Sequence, residues 1–343
     1  MKAAILEKAK KIIVKDIPKP RYSDDTVLVK IKEVGLCGSD IHFYNDGRIG
    51  DFIIEKPLIL GHESSGIIEE VGKNVKNINI GDRVTIEPGV PCYKCYYCKT
   101  GRYNLCKDIQ FMAVPHCDGA FREYIEYDPN FLFKISDHVS YTEGALAEPL
   151  SVAYFAVSKT GLRPIDTVCI LGAGPIGLAI LEMCKIAGTS KIFISDINDF
   201  RLSIAKQHQA TFIINPLKED IINVVYDNTN GEGVDIAIEA AGVEQTIFQS
   251  LKIVRSGGKV VWVSVGKEKI TIPYQEVIFR EIAIEGINRY ANSYEPVVKL
   301  LEEKRFDFES YITRRYKLDD IEEAFRFANN PKEKKVKIII EID

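Results

Sequence analysis

Three stretches in the first third of the chain alternate apolar and polar positions with period two: "TVLVKIKEVG" (Thr26–Gly35), "SGIIEEVG" (Ser65–Gly72) and "DRVTIEPG" (Asp82–Gly89). Side chains two apart share one face of a strand, and Gly, Pro, Asn and Asp punctuate these runs, so residues 1–150 predict short strands and turns. From about Val152 the period changes. "TVCIL" (Thr167–Leu171) and "KIFISD" (Lys191–Asp196) are near-continuous apolar runs, and Ile176–Ala187 predicts a helix between them. "VDIAIEAAG" (Val234–Gly242) and "GKVVWVSVG" (Gly258–Gly266) follow at intervals that leave room for further helices. Apolar strands alternating with helices imply a parallel sheet covered on both faces. After Gly286 the pattern is mixed again and ends in "KVKIIIEI" (Lys335–Ile342), a predicted strand. The expected fold class is therefore α/β: residues 151–286 form a doubly wound parallel domain inserted between residues 1–150 and 287–343 of a β-rich one. With 343 residues the chain exceeds the size at which a single core stops growing, which agrees with two domains.

Hydrophobic residues make up 46% of the chain and charged ones 27%, the balance of an ordinary globular protein. A net charge of -4 provides no basic field for nucleic acid or anionic lipid, and the lysines of Lys332–Lys337 read as solvated surface. The N-terminal "MKAAILEKAKKIIVKD" is too charged for a secretory signal, and no apolar run is long enough to span a membrane. The expected location is the cytoplasm. Eight cysteines in a reducing compartment point to metal rather than to disulfides.

"GAGPIG" places Gly172, Gly174 and Gly177 in G-x-G-x-x-G spacing, with Pro175 and Ile176 between them, directly after a strand and at a helix start. Gly172 allows a tight turn, Gly174 lets the backbone approach a pyrophosphate, and Gly177 permits close packing of helix on strand. Asp196 lies nineteen residues beyond Gly177, at the end of the next strand, where a carboxylate can accept both ribose hydroxyls of NAD. The 2'-phosphate of NADP would meet like charge there, although Arg201 close by weakens that exclusion.

"PCYKCYYCKTGRYNLC" supplies Cys92, Cys95, Cys98 and Cys106 on one short loop, over about residues 90–107. Four thiolates saturate a tetrahedral zinc and leave no open position, which makes this a structural site; an iron–sulfur cluster is the rival use of such spacing. Cys117, Cys169 and Cys184 read as ordinary buried cysteines. A catalytic zinc needs about three protein ligands and a vacancy. Cys37 in "GLCGSDIH", His62 and Glu63 in "GHE", and Glu148 in "LAEPLSVA" are candidates, none diagnostic singly.

Together these residues begin to match a family. "GHESSGIIEEVG", "GDRVTIEPGVPC", the four-cysteine loop, "GALAEPLSVA" and "GAGPIG" occur in an order and spacing that resemble zinc-dependent medium-chain dehydrogenases/reductases over nearly the whole chain. "CGSDIHFYNDGRIGDF", "GRYNLC" and "INRYANSY" look like its polyol branch, the sorbitol and xylitol dehydrogenase-like enzymes. The resemblance implies a Rossmann domain, NAD, two zinc ions per chain, and oxidation of a secondary hydroxyl of a polyol to a ketose. It implies that Cys37 and His62 ligate the catalytic zinc, with either Glu63 or Glu148 as the bonded carboxylate, and that Asp40 orients His62. It further implies a proton path from Ser39 towards His42, and hydrogen bonds to substrate from Tyr44, Arg289 and Tyr290. Phe111 falls at an apolar wall by the substrate, or equally in the core.

The same resemblance implies a homotetramer or homodimer, paired through the last strand of the inserted domain, expected near "GKVVWVSVG". All four lobe cysteines are present, unlike in the mammalian sorbitol enzymes, which leaves the particular polyol open; Ile165 replaces a common glycine at a turn. L-threonine dehydrogenase or a general secondary alcohol dehydrogenase is the alternative within this chemistry. A catalytically silent nucleotide-binding protein is the alternative outside it.

Overall fold

The alternating stretches form one sheet in a computed structural model that describes residues 1–342. The chain divides into two units, Met1–Glu148 together with the segment from Tyr294 onward, and Pro149–Ser293. In the first unit the strand Val27–Gly35 is the axis of a seven-stranded sheet. Glu63–Val71 pairs antiparallel on one side of it, and Lys337–Glu341 antiparallel on the other. Arg83–Ile86 and Leu132–Lys134 extend the first side, Ile312–Lys317 the second, and Tyr124–Tyr127 adds to the axis strand. Gly35 is in register with Glu63 on one neighbour and Ile339 on the other. That register brings segments about 300 residues apart in the chain together at one end of the axis strand. Behind it lies a core that includes Val29, Ile31, Leu60, Phe121 and Phe325, each fully buried.

In the second unit six strands are parallel in the order Phe212–Ile214, Lys191–Ser195, Thr167–Leu171, Val234–Glu239, Val254–Trp262, Ala283–Gly286. This is the doubly wound order, and it follows from short apolar strands joined by helices such as Pro175–Ile186 and Asp199–Gln207. Cys169 and Cys184 are fully buried here and their thiols are raised by burial, whereas Cys117 of the first unit is only half-buried. One expectation fails. The last strand is Ala283–Gly286, and the run near Gly258–Gly266 belongs to an interior strand between two others. "AIEG" is too short and too polar to show as a strand in the sequence pattern.

Phe193 is fully buried and stacks on Phe212 with ring centroids 4.4 Å apart. Phe193→Ala should lower the unfolding free energy by about 3–5 kcal/mol, measured by denaturant titration. A loss under about 1 kcal/mol would mean that this layer collapses around the gap.

Candidate functional site

Cys37 follows the axis strand by two residues and opens the helix Gly38–Asp46 as its N-cap. The same turn holds Asp40, whose carboxylate accepts the backbone N–H of Cys37 and of Gly61, each at 3.0 Å. Asp40 therefore ties the helix start to the residue before His62. The strand Glu63–Val71 begins there, and its register against Gly35 sets Glu63 beside Cys37. One donor atom each from Cys37, His62 and Glu63 lies within 4.8 Å of the others.

These donors fit a catalytic zinc. Thiolate, imidazole and carboxylate are three ligands of the types zinc takes, and three leave a place for substrate. Nδ1 of His62 is buried with no hydrogen-bond partner and stands 3.7 Å from Asp40 Oδ1, so the ring is flanked by its orienting acid. Burial by itself would lower the His62 pKa, but Cys37 and Asp40 beside it raise it well above its ordinary value. A pocket this negative favours a cation. Glu148 is 5% exposed on the helix Tyr141–Thr160, and its charge acts on His62 without entering the three-donor cluster. The Phe111 ring stands 5.7 Å from that of His62 and walls the donors on one side.

Two features escaped sequence reasoning. Lys337, read as solvated surface, is 3% exposed and forms an ion pair with Glu63 Oε2 while its Nζ donates to the Leu36 carbonyl at 3.2 Å. Burial would lower its pKa; the charges of Glu63 and Cys37 raise it instead. Alternation does not mark it, because the strand Lys337–Glu341 is buried on both faces from Lys337 to Ile340. Gly35 is the second. A Cβ there would come within 2.1 Å of Glu63 Oε2 and 3.0 Å of Lys337 Cε, so only glycine leaves room for the pair.

Of the other expected residues in this unit, Ser39 is half-buried on the helix Gly38–Asp46, and His42 is exposed, 3.8 Å from Asp46. Tyr44 is 7% exposed and its ring stacks on Phe325 at 4.6 Å, which makes it part of the core. Glu87, another buried carboxyl, is pushed up to about 8 by burial, against a 2.8 Å hydrogen bond from Tyr103.

The four-cysteine loop folds around its thiols, and all eight cysteines are free of disulfides. Cys95 and Cys98 sulfurs are 3.4 Å apart and those of Cys92 and Cys98 3.9 Å. A tetrahedron with Zn–S bonds of about 2.3 Å has edges of about 3.8 Å, so the four fit one zinc ion. Backbone N–H groups of Lys94 and Cys95 hold the Cys92 thiol at about 7, while burial and the neighbouring thiols push that of Cys98 up to about 12.

In the second unit Gly172 has φ 106°, outside the range of L side chains. A Cβ on Gly177 would lie 1.8 Å from the Gly172 carbonyl oxygen, while one on Gly174 would meet nothing closer than Arg201 at 3.9 Å. The space over Gly174 is where a pyrophosphate fits, at the N-cap of a helix with Pro175 at its first position and Ile176 half-buried behind it. Asp196 accepts the N–H groups of Ala173 and Asn198 at 2.8 Å each and stands 3.7 Å from Arg201. Arg289 and Tyr290 also belong to this unit: Arg289 is half-buried at φ 54°, and Tyr290 is 3% exposed.

A dinucleotide turn in one unit and two zinc-shaped donor sets in the other define a zinc-dependent dehydrogenase. Residues 23–137 match the alcohol dehydrogenase GroES-like domain and residues 175–303 the zinc-binding dehydrogenase family. The chain is 40% identical to sorbitol dehydrogenase of Bacillus subtilis, over 99% of this chain and 97% of that one. It is 36% identical to D-xylulose reductase A of Aspergillus niger, over 94% and 91%. A solved Escherichia coli oxidoreductase/dehydrogenase of unknown specificity, 36% identical, superposes with a TM-score of 0.96 over 100% of this chain and 99% of that one. The chain belongs to the zinc-dependent medium-chain dehydrogenase/reductase family, in its polyol branch.

Metal analysis should find two zinc ions per chain, one for each donor cluster. Cys37→Ser should remove one and leave the fold intact, whereas Cys95→Ser should remove the other and lower the melting temperature; a Cys37→Ser chain that retains both ions would refute the open site. Gly177→Ala should weaken NAD binding by about tenfold or more in a fluorescence titration, since its methyl group displaces the phosphate turn. Unchanged affinity would show that the turn has room to shift.

Proposed function

We propose that this chain oxidises a secondary hydroxyl of a sorbitol- or xylitol-class polyol to the ketose and passes the hydride to NAD. The reading is carried by the meeting of Cys37, His62 and Glu63 within 4.8 Å. When bound, zinc supplies a Lewis acid for the substrate oxygen and NAD an acceptor for hydride. The chain's own residues do the remainder. Cys37, His62 and Glu63 hold the metal, and Glu148 acts on it from the outer layer. Asp40 keeps the His62 ring in place, and Phe111 keeps water from one side of the donors.

Ser39 and His42, half-buried and exposed on the same helix, lie on the path by which the substrate proton leaves towards water, Ser39 Oγ passing on one proton as it accepts another. Tyr44 supports that helix by packing on Phe325. Gly172, Gly174 and Gly177 with Pro175 and Ile176 shape the pyrophosphate site; Asp196 takes the ribose hydroxyls and Arg201 lies beside it. No helix among the described residues is long and apolar enough to cross a membrane. We place the protein in the cytoplasm as a homotetramer or homodimer with a small-molecule substrate and no nucleic-acid partner. The apolar side chains of Tyr274, Ile278 and Phe279, 69%, 54% and 81% exposed before the edge strand, support self-association.

Initial rates on sorbitol, xylitol, L-threonine and 2-butanol, each with NAD and NADP, test the reading. A polyol with NAD should lead by about tenfold or more in kcat/KM. Faster turnover of L-threonine or 2-butanol would overturn the substrate class. Asp196→Ser should narrow the preference for NAD over NADP by about tenfold, the worth of about 1.4 kcal/mol of removed repulsion.

A further inference from the structure

Glu63 brings two carboxylate oxygens to a site that needs only one of them. A carboxylate with both oxygens free can chelate a metal, and chelation by Glu63 would fill the position that substrate must occupy. Lys337 bears on this. Its ammonium is paired with Oε2 of Glu63, both side chains are at most 3% exposed, and the pair sits in the gap that Gly35 leaves. The ammonium thus engages one of the two oxygens that chelation would need. Lys337 Nζ also donates to the Leu36 carbonyl at 3.2 Å, so its ammonium is held between that carbonyl and Glu63. No other cation forms an ion pair with Glu63 among the described residues.

We infer that Lys337 is a positioning residue that restricts Glu63 to a single metal bond and thereby keeps the fourth coordination place of the catalytic zinc vacant. The inference rests on Cys37, His62 and Glu63 being the ligands of that zinc. Its consequence is that the vacancy is not a property of the ligand set alone; it is maintained from the far end of the chain, by a residue that touches neither metal nor substrate.

The test is cobalt substitution of the open site in the full-length protein, read by visible absorption and by titration with azide, which binds a vacant metal position. In Lys337→Met the azide-induced spectral change should fall severalfold or vanish, and Lys337→Arg, which keeps charge and donors, should restore it. An azide response of Lys337→Met equal to wild type at equal cobalt content would overturn the inference. Breaking a buried pair destabilises the fold, so a measurement on the unaltered protein stands beside the variants. Cobalt-edge X-ray absorption of the wild type should show Glu63 bound through one oxygen; a chelating carboxylate would overturn the inference without any variant. Retention of cobalt by Cys37→Ser would instead refute the ligand assignment.

Discussion

Five ionisable side chains, Asp40, His62, Glu63, Glu148 and Lys337, are each at most 7% exposed within one corner of the first unit. Charges taken from water at this density are tolerated only when each faces an opposite charge or a firm hydrogen bond. Lys337 offsets Glu63, the amides of Cys37 and Gly61 hold Asp40, and His62 lies among the thiol and carboxylates. A divalent cation completes this balance. The sheet register, the glycine at position 35 and the helix cap at Cys37 all serve that one electrostatic constraint.

The second unit solves a different problem with the same economy of side chains. The turn that would hold a phosphate consists of backbone, and the glycines matter for what they lack: Gly177 lets the helix meet the strand, and Gly174 leaves space above the turn. Asp196 is held by two amides and so cannot turn away from where a ribose would lie. The rigidity of the parallel sheet makes such placement possible, since a shift of one strand would disturb every crossover.

The cysteine lobe has little regular structure, only the short helix Tyr96–Lys99 and the turn Tyr103–Leu105. The segment leaves Tyr93 and Tyr96 exposed and buries little surface of its own, so four metal–sulfur bonds would take the place of a core. Tyr103 fastens the lobe to the sheet through Glu87, whose raised pKa marks a carboxyl that is favoured in its neutral form at neutral pH.

The sequence by itself determined whatever depends on local periodicity and spacing. Strand alternation marked the first unit, the glycine turn and Asp196 marked a candidate dinucleotide site, and four cysteines on one loop marked a candidate closed metal site, because in each the partners lie within a few tens of residues. Only the tertiary structure decided which groups meet across long separations. Lys337 looked like one more surface lysine until antiparallel pairing set its strand beside Gly35, and Tyr44 looked like a substrate contact until Phe325 stacked on it. "AIEG" showed no strand signal, since an edge position needs little apolar surface of its own. The physical reason is the same in each case: a side chain's environment is set by the register of chains remote in sequence, and a one-residue slip reverses which face it occupies.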